Sequence, residues 1–332
     1  MAGESAVIRD HLLELNGMET CLRIYNTYKA TLKTETKKTI AWTVNNLCRF
    51  KPPVKFEKIQ SCLPYLKESL SVETDQDILT ENLWACSYIS DLGEEAVKQM
   101  INAELIKKVC DHFVKSNQQL LILTPSFRTL SNVVSGSDLH TDYILSLGLL
   151  PGVVELLNHQ KPTIRKEACF FLSNIAAGDA SQIQQLYEYS GLIPALKVII
   201  FNDESTVKIE ALWIVSNSLM GGSSLHKMTL LKSELIYKIL ENIKNFSNKA
   251  VKVFLEGLAQ LLLMLIELPN WPDEGEQLVA LLKDRDSPSM NYLAELAKSD
   301  TEIRGIFEEI KEIIQDPADV KMGRSSTERP VK

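Results

Sequence analysis

The sequence predicts an all-α protein built as a solenoid of helical repeats, and three observations predict it. The first is one stretch, EACFFLSNIAAG over 167–178. Read as a helix at about 100° per residue, it puts Glu167, Phe170 and Asn174 on one face, at i−3, i and i+4. Ala168, Cys169, Leu172 and Ile175 supply small and apolar surface for packing. The second is recurrence of the i, i+4 pair: Trp42 with Asn46, Trp84 with Tyr88, Arg128 with Asn132, Phe170 with Asn174, and Trp213 with Asn217, at successive steps of 42, 44, 42 and 43 residues. The third is that other marks keep the same phase. Gly136, Gly178 and Gly221 each follow their Asn by four, and Pro151 and Pro194 are 43 residues apart.

Internal periods of about 40–47 residues belong to armadillo and HEAT helical repeats. A repeat array extends its core with each added unit, so the 332 residues predict one solenoid over 1–318, with about six repeats and a divergent C-terminal helical cap. A disordered tail is expected over 319–332, where the sequence is polar, basic and rich in Ser, Thr and Pro. A net charge of −7 speaks against a general nucleic-acid or anionic-membrane surface and suits a basic partner. Six cysteines lie in apolar helical patterns without a CxxC pair, which predicts buried reduced thiols. The most apolar run, 258–268, is too short to span a bilayer, and the first thirty residues are amphipathic with charges throughout, unlike a secretory signal.

In order, residues 1–50 carry two helical patterns around Gly17 and a longer third helix with Trp42 and Asn46. The opening AGES reads as the end of a preceding repeat rather than a helix cap, and the apolar residues of HLLEL and METCL want a neighbour, so the chain is expected to be cut from a longer protein. Residues 51–93 start with the breaker Pro52-Pro53 and end in a helix with Asp77, Glu81, Trp84, Tyr88 and Asp91 at spacings of 4, 3, 4 and 3. The third copy, 94–136, has Arg128 where the others have a ring. The copies at 137–178 and 179–221 are the cleanest; the latter presents Glu210, Trp213 and Asn217, and Gly178 stands where a helix C-cap would use positive φ. At 222–265 the helical pattern persists, but Gly257, Ala259 and Gln260 lie in the region where a ring and an Asn would be sought, and the stripe fades. Beyond 266 the period is lost and two or three amphipathic helices remain.

The segments TIAWTVNNLCRF, DILTENLWACSYISD, FRTLSNVVSG, RKEACFFLSNIAAGDASQIQ and KIEALWIVSNSLMGG together resemble the armadillo domain of importin α, the nuclear-import adaptor family, over roughly residues 5–225. Tyr88 in place of Asn and Arg128 in place of Trp are the most specific marks. The resemblance implies a right-handed superhelical armadillo solenoid whose third helices line a concave groove, and a protein of the cytoplasm and nucleus that binds Lys/Arg-rich nuclear localisation peptides of cargo proteins. Rings in such a groove form slots for the apolar stems of Lys or Arg, with cation–π attraction of about 0.5–2 kcal/mol each. Asn amides hold an extended backbone without reading its sequence, and the acids meet the charged tips. By the same resemblance a minor-site-like set comprises Tyr88, Asp91, Arg128, Asn132, Glu167, Phe170, Asn174, Glu210, Trp213 and Asn217, and a partial major-site-like set Trp42, Asn46, Asp77, Glu81 and Trp84. The minor site is expected to work and the major site to be crippled. Phe170, where the family usually has Trp, should weaken one slot. Importin β would be reached only through an Arg-rich segment that these residues do not include.

Enzyme chemistry is not expected. The five histidines, His11, His112, His140, His159 and His226, make no HExxH or metal-ligand spacing, and there is no Gly-rich phosphate loop or nucleophile elbow. No cofactor, metal, nucleic acid or membrane partner is expected. The alternatives are a β-catenin-like scaffold, whose groove is lined by Lys and Arg for acidic partners, and a structural solenoid without a peptide site.

Overall fold

The structure, a computed structural model, describes residues 5–116, 119–268, 270–315 and 317. Every regular element among them is helical. The tail expected at 319–332 lies outside the described residues.

The chain groups into two compact units, residues 1–152 and 153–332. In the first, α1 (Ala6–Glu14) and α2 (Gly17–Tyr28) lead into α3 (Thr34–Cys48). Ser5, read from the sequence as the tail of an earlier repeat, caps α1 instead: its hydroxyl accepts from the Ile8 amide at 3.3 Å. No full helix follows α3. Pro52-Pro53 leaves two turns of 3-10 helix, at Phe56–Lys58 and Gln60–Cys62, before α4 (Leu63–Val72) and α5 (Gln76–Ser90). Then come α6 (Glu94–Asn102), α7 (Leu105–Lys115), α8 (Leu120–Val134) and α9 (Asp138–Ser146). Each long third helix packs on its predecessor, α3 on α5 and α5 on α8, and their inner sides are apolar. Arg9 fastens the break after α3. It is 1% exposed, and its guanidinium donates to the carbonyls of Arg49 at 2.7 Å, Phe50 at 3.1 Å and Pro52 at 3.0 Å.

The boundary between units falls within α10 (Leu150–Leu156). The second unit continues with α11 (Pro162–Ala176), α12 (Ala180–Tyr187), α13 (Leu192–Asn202), α14 (Ser205–Gly221), α15 (Ser224–Lys232), α16 (Leu235–Glu241) and α17 (Asn248–Glu267). The region without a legible period is three helices, α18 (Asp273–Lys283), α19 (Pro288–Ser299) and α20 (Thr301–Gln315). They repeat the same scheme, because α11, α14, α17 and α20 stack in sequence while α18 and α19 follow α15 and α16.

Gly178 does not take positive φ; among the described glycines only Gly93 and Gly148 do. Its reason is proximity, since a Cβ there would lie 1.7 Å from Gln182 Oε1. Five cysteines are buried and Cys21 is partly so, all as free thiols, and burial pushes the Cys110 thiol up to about 11. Among the described residues no helix is long and apolar enough to cross a membrane.

Candidate functional site

The periodic residues sit on the third helices, whose apolar sides are used up in stacking, so the ring–amide stripe is left half-buried to exposed except at Asn46. In the first unit Trp42 on α3 is 44% exposed. Asn46, one turn on, turns back to its own helix and donates to the Trp42 carbonyl at 2.7 Å; it is 2% exposed, where a ligand-facing amide was expected. The neighbouring Asn45 reaches across instead and donates to Glu81 Oε2 at 2.5 Å. On α5, Trp84 and Tyr88 stack with centroids 6.0 Å apart and planes 25° apart, forming one aromatic slab. Asp77 receives the Lys38 ammonium at 2.7 Å, with Asp75 at 3.3 Å from the same nitrogen. These bonds, Asp77's foremost, hold the Lys38 pKa up. Two of the expected groove acids, Asp77 and Glu81, therefore already have intramolecular partners. Arg128 on α8 is exposed, as is Asp91 at the end of α5. Asn132 crosses from α8 to α5, donating to Ser90 Oγ at 3.0 Å and the Ser87 carbonyl at 3.2 Å.

In the second unit α11 presents Glu167, Phe170 and Asn174, and α14 presents Glu210, Trp213 and Asn217, all half-buried. The two amides again divide. Asn174 donates to its own Phe170 carbonyl at 2.8 Å, whereas Asn217 crosses to the Ser173 carbonyl of α11 at 2.9 Å. Asn132 and Asn217 thus make the same helix-to-helix bond, each to a serine carbonyl of the preceding third helix. Burial raises the Glu210 carboxyl above the ordinary glutamate value; Lys166 pulls it back and the charge of Glu167 pushes it further up.

Sequence reasoning missed two features. A cation five residues before the ring clamps the turn entering each of α11 and α14. Arg165 grips Asp203 through Nε at 2.5 Å and Nη2 at 2.7 Å, and donates from Nη1 to the His159 and Gln160 carbonyls at 2.7 and 3.0 Å. Lys208 donates to the Phe201 carbonyl at 3.0 Å. The shared phase of Arg165 and Lys208 was the available signal. The second feature is Lys249 of α17, whose ammonium lies 5.7 Å from the centroid of the Trp213 ring. Nothing in a single helix pattern announces a contact between residues 36 positions apart. Among the described residues no group of three or more His, Cys, Asp or Glu is placed to hold a metal ion.

Comparison with known proteins finds relatives for part of the chain. The family description "Armadillo/beta-catenin-like repeat" matches residues 137–177. Importin subunit alpha-3 of Arabidopsis thaliana is 36% identical over 163 residues, covering 49% of this chain and 30% of that protein. Importin subunit alpha-1a of Oryza sativa subsp. japonica is 35% identical over 156 residues, covering 47% and 29%. The matched segment thus spans about three-tenths of the length of these curated relatives. Among solved structures, a designed armadillo repeat protein in complex with the peptide (KR)4 superposes with a TM-score of 0.62 at 21% identity, covering 72% of this chain and 98% of that one.

Proposed function

We propose that this chain, an armadillo-repeat homologue of importin α, is a nuclear-import adaptor that holds Lys/Arg-rich nuclear localisation peptides of cargo proteins in extended form. It acts without catalysis, in cytoplasm and nucleus, on residues 1–318 taken as a solenoid. The observation that carries the reading is the acid–ring–amide stripe on two stacked helices, Glu167–Phe170–Asn174 on α11 and Glu210–Trp213–Asn217 on α14.

Each element of that stripe has a task in binding a basic peptide. Trp213 and Phe170 offer ring faces to the methylene stems of Lys or Arg. Glu210, whose ionised form is disfavoured by burial and by the charge of Glu167, gains when an ammonium or guanidinium arrives beside it, and Glu167 is the matching acid on α11. A primary amide has two N–H donors, so Asn217 can hold the Ser173 carbonyl with one and meet a peptide carbonyl with the other. In the first unit, taken by itself, the rings Trp42, Trp84 and Tyr88, with Arg128, Asn132 and Asp91, offer a basic ligand the same kinds of contact. There Asp77 and Glu81 already serve Lys38 and Asn45, each through one carboxylate oxygen, so a ligand shares or competes for them. Those contacts offset part of what a ligand would gain there, and the reading keeps the stronger binding for the minor-site-like set.

Titration of a fluorescent Lys/Arg-rich localisation peptide into this chain and its Trp213→Ala and Asn217→Ala variants tests the reading, at low and physiological salt. Saturable binding that each substitution weakens about three- to thirtyfold, and that salt reduces, is expected. Binding indifferent to both substitutions, or none by the unsubstituted chain, overturns it.

A further inference from the structure

The stripe changes character at α17. One period beyond Glu210, Trp213 and Asn217 stand Val253, Glu256 and Gln260, so the amide position is kept while the ring is replaced by a carboxylate and the acid by an aliphatic side chain. Glu256 does not stand alone: Lys252 lies 4.0 Å from it and 2.7 Å from Glu302 of α20. Gly257 lets α17 close on α14, since a Cβ there would lie 2.9 Å from Leu219 Cβ and 3.1 Å from the Ser216 carbonyl. That close approach sets the exposed Lys249 over the Trp213 ring, at 5.7 Å. The last ring of the stripe therefore already has a cation on it, supplied by the next repeat.

We propose that Lys249 makes the Trp213 slot selective for a basic peptide carrying an aspartate or glutamate two or three residues from the lysine that enters the slot. This deepens the adaptor reading and rests on it. A cargo ammonium entering the slot meets Lys249, a like charge, within a few ångströms, and displaces it into solvent. A peptide strand advances about 3.3 Å per residue and neighbouring helices are 8–10 Å apart, so the ligand residue facing α17 is two or three positions on. A carboxylate there pairs with the displaced Lys249, turning a repulsion into an attraction. Because α17 lies on one side of α14, the preference has a direction along the peptide.

Three labelled peptides with one Lys/Arg core are compared by fluorescence anisotropy at low salt: an acid on the amino side, the same acid on the carboxyl side, and serine at both places. Each is titrated into the unsubstituted chain, Lys249→Met and Trp213→Ala. One acid-flanked peptide should bind about three- to tenfold tighter than the serine peptide, and the other no tighter. In Lys249→Met, which keeps an apolar stem without the charge, that advantage should vanish while the serine peptide binds tighter than to the unsubstituted chain. Equal binding of all three peptides, or a flank preference that survives Lys249→Met, overturns the inference. If core binding is then still lost in Trp213→Ala, the adaptor reading stands; if no peptide binds the unsubstituted chain, both fall together. The contact itself has a ligand-free readout, because Lys249 ε-methylene protons over an indole are shifted upfield, and Trp213→Leu should abolish that shift.

Discussion

At the scale of single residues, Glu210 makes the sharpest prediction. Its carboxyl titrates above the ordinary glutamate value because burial and Glu167 disfavour its charge, with Lys166 opposing. In the free chain the ionised form is therefore strained, and that strain is relieved as pH falls through the raised pKa. A bound cation favours the ionised form and lowers the same pKa. Affinity for a basic peptide is then fully present above the free-state pKa and declines as pH falls, beginning above the usual glutamate range. Glu210→Gln should flatten that limb of the pH profile and weaken binding roughly fivefold near neutral pH, about 1 kcal/mol. An unchanged profile in Glu210→Gln, measured by anisotropy across pH 4–8, would remove Glu210 from the site. The position of Glu210 was legible because it shares phase with Glu167. The engagement of Asp77 by Lys38 and of Glu81 by Asn45 was not, because each bond joins residues 36 to 39 positions apart whose meeting depends on how α3 sits on α5.

At the scale of elements, the i, i+4 ring–amide pairs identified the third helices, yet their amides do two different things. Asn46 and Asn174 fold back on their own helices, while Asn132 and Asn217 stitch one helix to the one before. A pattern along one helix records the phase of a side chain but not which of two carbonyls it chooses. Gly178 shows the same limit: the sequence marks a glycine after the helix, and only the approach of Gln182 explains it. The turns between helices depend on cations that the pattern did not single out. Arg165 holds Asp203 with two bonds and two loop carbonyls besides, and the side chain of Asp203 is 5% exposed. Arg165→Ala should strand that carboxylate and cost about 2–3 kcal/mol, somewhat less than a fully buried pair because Arg165 is 18% exposed. Urea unfolding followed by circular dichroism checks it; a loss under about 0.5 kcal/mol would make the clamp incidental.

At the scale of the molecule, a repeat stack must end on a helix that needs no further neighbour. α17 cannot be that helix, because Val251, Phe254, Leu255, Leu258, Leu261, Leu262, Leu265 and Ile266 are all buried around it. α20 can. It buries Ile303, Phe307, Ile310, Ile313 and Ile314 against the stack and turns Glu302, Glu308, Glu309 and Glu312 outward. Its place as a third helix was hidden from the period, since α20 begins 53 residues after α17 while α17 begins 43 after α14. The insertion lengthened the spacing without changing what the helix covers. Removing residues 270–332 should therefore expose the apolar side of α17 in one step, giving dye-binding hydrophobic surface and concentration-dependent association while most helical signal is retained. Restoring α18–α20 with polar residues in place of Ile303 and Phe307 should reproduce the defect with the chain length unchanged. Monomeric, dye-silent behaviour of the shortened chain in sedimentation would mean that α17 closes the stack by itself, and that α20 is an addition to the array rather than its end.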